Sequence, residues 1–119
     1  MHEKILLVDD NPRIRKDIVC FLRTEGYDIS EASNGNEAIH LLGNENFNLI
    51  ISDVLMSKLD GFGVLKYAQA VAPETPVLLM SGVAGMDASQ ATQLGAIDFI
   101  RKPFDLKELL SKIKLALER

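Results

Sequence analysis

Four apolar, strand-like runs in this chain are each followed by residues that can take part in metal or phosphoryl chemistry. They are Asp9 and Asp10 after the first run, and Asp53, Ser81 and Lys102 after three later runs. In an open parallel α/β sheet, ligands bind at the edge where the carboxyl ends of the strands meet. We therefore expect these five residues, distant in the sequence, to form one acidic pocket with a hydroxyl and an ammonium group.

Three carboxylates placed together repel one another, which should raise the pKa of at least one of them unless a cation is present. A divalent metal removes that cost. A site made of carboxylates, a backbone carbonyl and water suits magnesium, which keeps several waters and often binds phosphate as well. The pocket therefore predicts a Mg²⁺ site.

A carboxylate in such a site can attack phosphorus and form an acyl phosphate. Asp53 is the best candidate because it stands alone after the central strand, whereas Asp9 and Asp10 form a pair suited to holding the ion. Lys102 and Ser81 can offset the charge of the transferred group. Each of these residues, taken singly, has an ordinary explanation as a helix-start, turn or surface residue. Their joint placement favours the site.

Five strand-like runs alternate with helical patterns, which is typical of βαβ units and a parallel sheet. The predicted strands cover residues 5–8, 27–32, 49–52, 77–80 and 97–101. Asn11 can cap the first helix, Pro12 fits its first turn, and Gly26 can end it. Five units are too few for an eight-stranded barrel. We expect an open sheet with helices on both faces and the common strand order 2-1-3-4-5.

The helices differ in how much apolar surface they can bury. The last one is the strongest, with leucine and isoleucine at helical spacing from Leu106 to Leu117, and the fourth, between Gly85 and Gly95, is the weakest and polar. In the third helix the residues expected to face inward are Phe62, Leu65, Ala68 and Val71. Cys20, near the apolar side of the first helix, is expected to be a packing residue rather than a reactive thiol.

Length and composition indicate a single domain spanning residues 1–119. Of the 119 residues 47% are hydrophobic and 25% charged, as in a folded globular protein. The net charge of −4 and the lack of a basic run argue against direct nucleic-acid binding. No apolar run approaches the length of a membrane span, and the N-terminus lacks a signal pattern, so cytoplasmic residence is expected. The one cysteine excludes an internal disulfide.

Several segments together resemble the receiver domain of two-component response regulators over the whole chain. They are Leu7-Val8-Asp9-Asp10-Asn11, Ser52-Asp53-Val54-Leu55-Met56, Asp60-Gly61, Met80-Ser81-Gly82 and the stretch from Gly95 to Phe104. The resemblance implies a flavodoxin-like fold and a switch, rather than a turnover enzyme, that accepts a phosphoryl group from a phosphohistidine donor. The implied partners are a sensor histidine kinase or histidine phosphotransfer protein and an output domain or effector. By the same resemblance the domain at residues 1–119 either stands alone or is the N-terminal part of a longer response regulator or hybrid protein.

The resemblance also implies a role for each residue of the predicted site. Asp53 would be the phosphoacceptor. Asp10, Asp53 and the Leu55 carbonyl would contact Mg²⁺ directly, and Asp9 through water. By the same likeness Ser81 and Lys102 would contact the phosphoryl group. Phe99 would be an aromatic switch that reshapes the surface of the fourth helix, fifth strand and fifth helix, where a second copy could bind, and the bond before Pro103 would be cis.

Three positions vary within or depart from the family pattern. Ser57 stands where a proline is common, which would loosen the loop after Asp53. Leu55 and Val83 are apolar where some relatives carry polar residues. If these two side chains flank the approach of water to the phosphorylated aspartate, as the likeness implies, they cannot orient that water, and we expect a comparatively long-lived phosphorylated form.

Three other functions are compatible with parts of this pattern. A phosphatase of the haloacid dehalogenase type uses the same groups but places a second aspartate two residues after the first, where this chain has Leu55. An interaction module without phosphorylation would not need the complete acidic set. A flavodoxin-like electron carrier needs a loop rich in hydroxyl or glycine residues, whereas the loop from Asp9 to Arg13 is acidic.

Overall fold

The computed structural model describes residues 2–54, 60–82 and 87–118, in which five strands alternate with five helices. The strands are β1 (Lys4–Val8), β2 (Asp28–Ala32), β3 (Leu49–Asp53), β4 (Val77–Ser81) and β5 (Asp98–Arg101). The helices are α1 (Pro12–Thr24), α2 (Gly35–Asn44), α3 (Gly61–Val71), α4 (Ala88–Gln93) and α5 (Leu106–Leu117). All strand pairs are parallel and the order is β2-β1-β3-β4-β5, so the predicted fold class is confirmed.

The register of the sheet places the predicted chemical residues at one edge. Val8 pairs with Ser52, Asp53 pairs with Met80, and Ser81 pairs with Arg101. Because all strands run in the same direction, the residue that follows each of these pairs leaves the sheet at its carboxyl edge. Asp9 and Lys102, which follow β1 and β5, therefore converge with Asp53 and Ser81, which are the last residues of β3 and β4.

The core has two layers, because alternate residues of each strand point to opposite faces. In one layer Leu6, Ile50 and Leu79 pack against α2, α3 and α4. In the other layer Leu7 and Ile51 pack against α1 and α5. Every residue of β3 and β4 is buried, including the polar residues at their ends. This explains why the central strands are continuous apolar runs, as parallel strands covered on both faces usually are.

The first helix begins and ends as its sequence predicts. The Asn11 side chain accepts hydrogen bonds from the backbone N–H groups of Arg13 and Ile14, and Pro12 occupies the first turn. Gly26 has φ of 95°, a left-handed conformation that glycine adopts without steric cost. These signals fix the helix directly after Asp9 and Asp10.

Two predicted packing positions are wrong. Val71 is 48% exposed, because α3 ends there and its buried side is made by Val64, Leu65 and Ala68. Cys20 is exposed, because Ile18, Val19 and Leu22 form the buried stripe of α1, and Cys20 lies about 200° around the helix from both Ile18 and Leu22.

The contrast between the last two helices is as predicted. α4 has six residues, of which only Ala91 is buried, whereas α5 has twelve and buries Leu109, Ile113 and Ala116. The residues that would begin the predicted fourth helix, Gly85 and Met86, lie outside the described part of the chain. Among the described helices, none combines the length and apolar character that crossing a membrane requires.

Candidate functional site

A lysine bridges two buried carboxylates at the carboxyl edge of the sheet. The Lys102 ammonium donates to Oδ2 of Asp9 and to Oδ2 of Asp53, each at 3.0 Å. Asp9 is fully buried and Asp53 is 8% exposed. Three sequence segments that are far apart in the chain thus form one charged cluster, where the sequence predicts it.

Asp9 is held at every polar atom. Its N–H donates to the Ala32 carbonyl at 3.2 Å, and its own carbonyl accepts from the Arg15 guanidinium at 2.7 Å. Its Oδ1 accepts from the Asn11 N–H at 2.9 Å, while Oδ2 accepts from Lys102. Asp10, the next residue, is exposed. Asp9 is therefore a fixed part of the pocket wall, and Asp10 is the carboxylate with free access to solvent.

The three carboxylates fit a divalent cation. One oxygen each from Asp9, Asp10 and Asp53 can be chosen so that all lie within 4.8 Å of one another. Lys102 contacts two of the three groups, and its single charge does not balance the cluster. Hard anionic oxygens in this number suit Mg²⁺ in preference to softer metals.

The pKa values of the bridge reflect its burial. Burial raises the pKa of Asp53, the hydrogen bond from Lys102 opposes this, and the charges of Asp9 and Asp10 raise it further. Burial by itself lowers the pKa of Lys102, but its two hydrogen bonds to Asp9 and Asp53 outweigh this, so the net shift is upward. The predicted rise at a crowded carboxylate is thus present, with desolvation as a larger cause than repulsion.

The remaining predicted site residues lie close by or outside the described residues. Ser81 is fully buried at the end of β4, one position beyond the partner of Asp53. Phe99 is 6% exposed and packs in the core layer that contains Ala91 of α4, with the Arg101 guanidinium 5.7 Å from the centre of its ring. The Lys102–Pro103 peptide bond is cis. Leu55 and Val83 lie outside the described residues, as does Ser57.

Two residues near the site make contacts that the sequence does not indicate. Arg15 contacts the Asp9 carbonyl from one turn into α1, and an arginine on a helix carries no sequence signal for that contact. Gly61 belongs to the Asp60-Gly61 segment of the family resemblance, which assigns it no role. Its N–H donates to the Val54 carbonyl at 2.8 Å, which brings the start of α3 against the strand that carries Asp53.

We expect Gly61→Ala to destabilise the fold. An added Cβ would lie 2.2 Å from the Asp53 carbonyl oxygen and 2.8 Å from the Val54 Cα, both backbone atoms that cannot move aside as a side chain can. Overpacking of this kind costs about 1–3 kcal/mol. The measurement is the free energy of unfolding in urea.

Gly43→Ala is the matched control. It also lies in a helix, but its added Cβ would meet only the Tyr67 hydroxyl at 3.6 Å, an ordinary contact. We expect this variant to be more stable by roughly 0.5–1 kcal/mol, since alanine is the better helix former. Equal stability of Gly61→Ala and the wild type would show that the close approach at Asp53 is not a constraint.

Comparison with known proteins points to one family. Residues 5–114 match the family described as the response regulator receiver domain. Over 118 residues the chain is 36% identical to the probable transcriptional regulator ycf27 of Porphyridium aerugineum, covering 98% of this chain and 49% of that protein. It is 37% identical over 116 residues to the transcriptional regulatory protein GlrR of Escherichia coli, covering 97% of this chain and 26% of that protein.

Solved structures agree with the sequence comparisons. A CheY-like response regulator receiver domain protein from Methanospirillum hungatei superimposes with a TM-score of 0.93 at 30% identity, covering 99% of this chain and 95% of that one. A Francisella response regulator receiver domain gives 0.91 at 28% identity, with coverage of 99% and 98%. The chain thus spans half or less of the two transcriptional regulators and nearly all of the two receiver domains.

Proposed function

Because the chain belongs to the response regulator receiver domain family, we propose that it is a phosphorylation-controlled switch in which Asp53 accepts the phosphoryl group. The observation that carries this proposal is the bridge between Asp53, Lys102 and Asp9 beside the exposed Asp10. It combines a nucleophile, a fixed cation and a set of metal ligands in one pocket. A receiver domain of this kind is a signalling protein rather than a classical enzyme.

In the proposed reaction an Asp53 carboxylate oxygen forms a bond to phosphorus while the bond from phosphorus to the donor nitrogen breaks. Bound Mg²⁺ would neutralise charge on the carboxylates and on the phosphoryl oxygens, with Asp10, Asp53 and the Leu55 carbonyl as ligands and Asp9 acting through water. Lys102 would pair with a phosphoryl oxygen, and Ser81 would donate a hydrogen bond to another. The location of Asp53 at the end of β3, the central strand of the sheet, supports this role.

The direct test is incubation of the protein with a small acyl phosphate or phosphoramidate, with and without Mg²⁺. We expect the mass of one phosphoryl group to be added, only when Mg²⁺ is present. Digestion and peptide mass spectrometry should place it on Asp53. Labelling that is unaffected by a chelator, or that falls elsewhere, would contradict the proposal.

We expect Mg²⁺ binding to weaken as the pH falls. A metal ligand must be deprotonated, and because the pKa of Asp53 is raised, protons compete with the metal at a higher pH than for an ordinary aspartate. The measurement is a titration of backbone amide shifts with MgCl₂ at several pH values. Asp53→Asn, which cannot titrate, should bind more weakly and show a shallower pH dependence.

The output is proposed to pass through the α4–β5–α5 surface. Drawing Ser81 towards the phosphoryl group would leave space into which Phe99 could turn, and α4 is anchored to the core by Ala91. Leu94, at the end of α4, is 49% exposed. The protein that binds there would be an output domain, an effector or a second copy of the chain, and light scattering with and without phosphorylation distinguishes the last of these.

Upstream, the donor would be a sensor histidine kinase or a histidine phosphotransfer protein, in keeping with the family. Because Leu55 and Val83 are apolar and cannot orient the attacking water, hydrolysis of the phosphorylated Asp53 is proposed to be slow. The phosphatase, electron-carrier and non-phosphorylated alternatives have no comparable support, since the family match covers residues 5–114.

A further inference from the structure

Arg15 joins three elements behind the acidic pocket. From the first turns of α1, its Nη1 donates to the Asp9 carbonyl at 2.7 Å, and its Nε donates to Oε1 of Glu31 on β2 at 3.2 Å. The Arg15 side chain is 18% exposed, so the contact with the carbonyl is largely shielded from water. A guanidinium group suits this arrangement, because its rigid, planar set of donors can serve two acceptors at once.

We propose that Arg15 is a positioning residue for the metal site: by holding the Asp9 carbonyl it sets the orientation of the Asp9–Asp10 peptide and thereby of the Asp10 carboxylate. This inference rests on the proposed function. Asp9 is also held at its N–H and at both carboxylate oxygens, whereas Asp10 is exposed. The orientation of the exposed Asp10 carboxylate therefore depends on the backbone at Asp9, which Arg15 holds through the Asp9 carbonyl.

Glu31 completes the arrangement. It accepts a hydrogen bond from the Arg15 Nε and offsets the positive charge of the guanidinium, which would otherwise oppose a cation in the pocket. Residues that orient metal ligands from behind commonly affect metal affinity by about tenfold or more. Arg15 is therefore expected to influence Mg²⁺ binding without touching the ion.

A plain electrostatic effect and a positioning effect differ in sign. Removing a positive charge near a cation site should strengthen Mg²⁺ binding if charge alone matters. Removing the group that orients a ligand should weaken it. The change caused by Arg15→Met therefore identifies which effect dominates.

The experiment is titration of the full chain with MgCl₂, followed by backbone amide shifts, for the wild type, Arg15→Met, Arg15→Lys and Arg13→Met. Arg13→Met is the matched control, since Arg13 is an exposed arginine on the same helix and its loss changes charge without removing a contact to the Asp9 carbonyl. We expect Arg15→Met to bind Mg²⁺ about tenfold more weakly. Arg13→Met should bind as tightly as the wild type or slightly more tightly, and Arg15→Lys should recover part of the loss.

A second readout needs no metal. In Mg²⁺-free buffer, the amide protons of Asp10 and Asn11 should exchange faster in Arg15→Met than in Arg13→Met, because the peptide is no longer held. Ile113→Val, a buried change on α5, controls for general loss of stability and should leave Mg²⁺ affinity unchanged.

The outcomes separate this inference from the function on which it rests. If the wild type does not bind Mg²⁺, the proposed function fails. If the wild type binds Mg²⁺ but Arg15→Met binds equally or more tightly, Arg15 acts through charge alone and the positioning role is overturned. If Ile113→Val weakens binding as much as Arg15→Met, the effect is one of general stability and the inference is equally overturned.

Discussion

Asp53→Asn should abolish incorporation of the phosphoryl group. The substitution keeps the size of the side chain and an oxygen for Lys102, but an amide is not a nucleophile towards phosphorus. The expected loss is complete within detection, because the exposed Asp10 is a separate carboxylate outside the lysine bridge and the buried Asp9 has both oxygens engaged. Intact mass after treatment with an acyl phosphate and Mg²⁺ measures it.

The control for this experiment is Asp28→Asn, which changes an exposed aspartate at the opposite end of the sheet and should label like the wild type. Full labelling of Asp53→Asn would refute the assignment of Asp53 as the phosphoacceptor.

Asp53→Asn should also be more stable than the wild type at neutral pH without Mg²⁺. The folded protein holds Asp53 with a raised pKa, so its ionised form opposes folding above that pKa. The gain should vanish at a pH below the ordinary aspartate pKa, where the side chain is protonated in both states.

Lys102→Met should destabilise the protein when Mg²⁺ is absent. It leaves Asp9 fully buried and Asp53 nearly so, without the ammonium that contacts both. Breaking one side of a buried ion pair costs roughly 3–5 kcal/mol, and because the Lys102 side chain is itself 18% exposed we expect about 2–3 kcal/mol. The measurement is urea unfolding in the presence of a chelator.

Two further measurements identify the cause of that loss. Mg²⁺ at saturating concentration should restore part of the stability of Lys102→Met, because it supplies the missing positive charge. Adding Asp9→Asn to Lys102→Met should also restore stability, since it removes the negative charge of the buried Asp9 carboxylate that has lost its partner. Lys66→Met, at an exposed position on α3, is the control for loss of a lysine. If Lys102→Met and Lys66→Met unfold at the same urea concentration, the bridge contributes nothing to stability.

Much of the architecture could be predicted from local patterns. Alternation of strand and helix signals indicates a parallel sheet, and the signals at Asn11, Pro12 and Gly26 delimit α1 because they act over a few residues. The packing errors at Val71 and Cys20 arose where a helical stripe had to be placed against a sheet. Periodicity defines the apolar side of a helix only to within one or two residues. Whether Val71 and Cys20 are buried depends on where α3 ends and on which side of α1 faces the sheet.

The residues that form the site could be predicted from the sequence, but the contacts between them could not. Asp9, Asp53 and Lys102 could be grouped because parallel strands end at one edge, which is a property of the fold class and can be read from residue order. The fold class and the candidate chemistry could therefore be predicted from residue order alone. Tertiary structure decided that one ammonium bridges Asp9 and Asp53, that Gly61 lies against the Asp53 carbonyl, and that Arg15 holds the backbone beside Asp10. Such contacts depend on distances between elements far apart in the chain, and no local pattern encodes them.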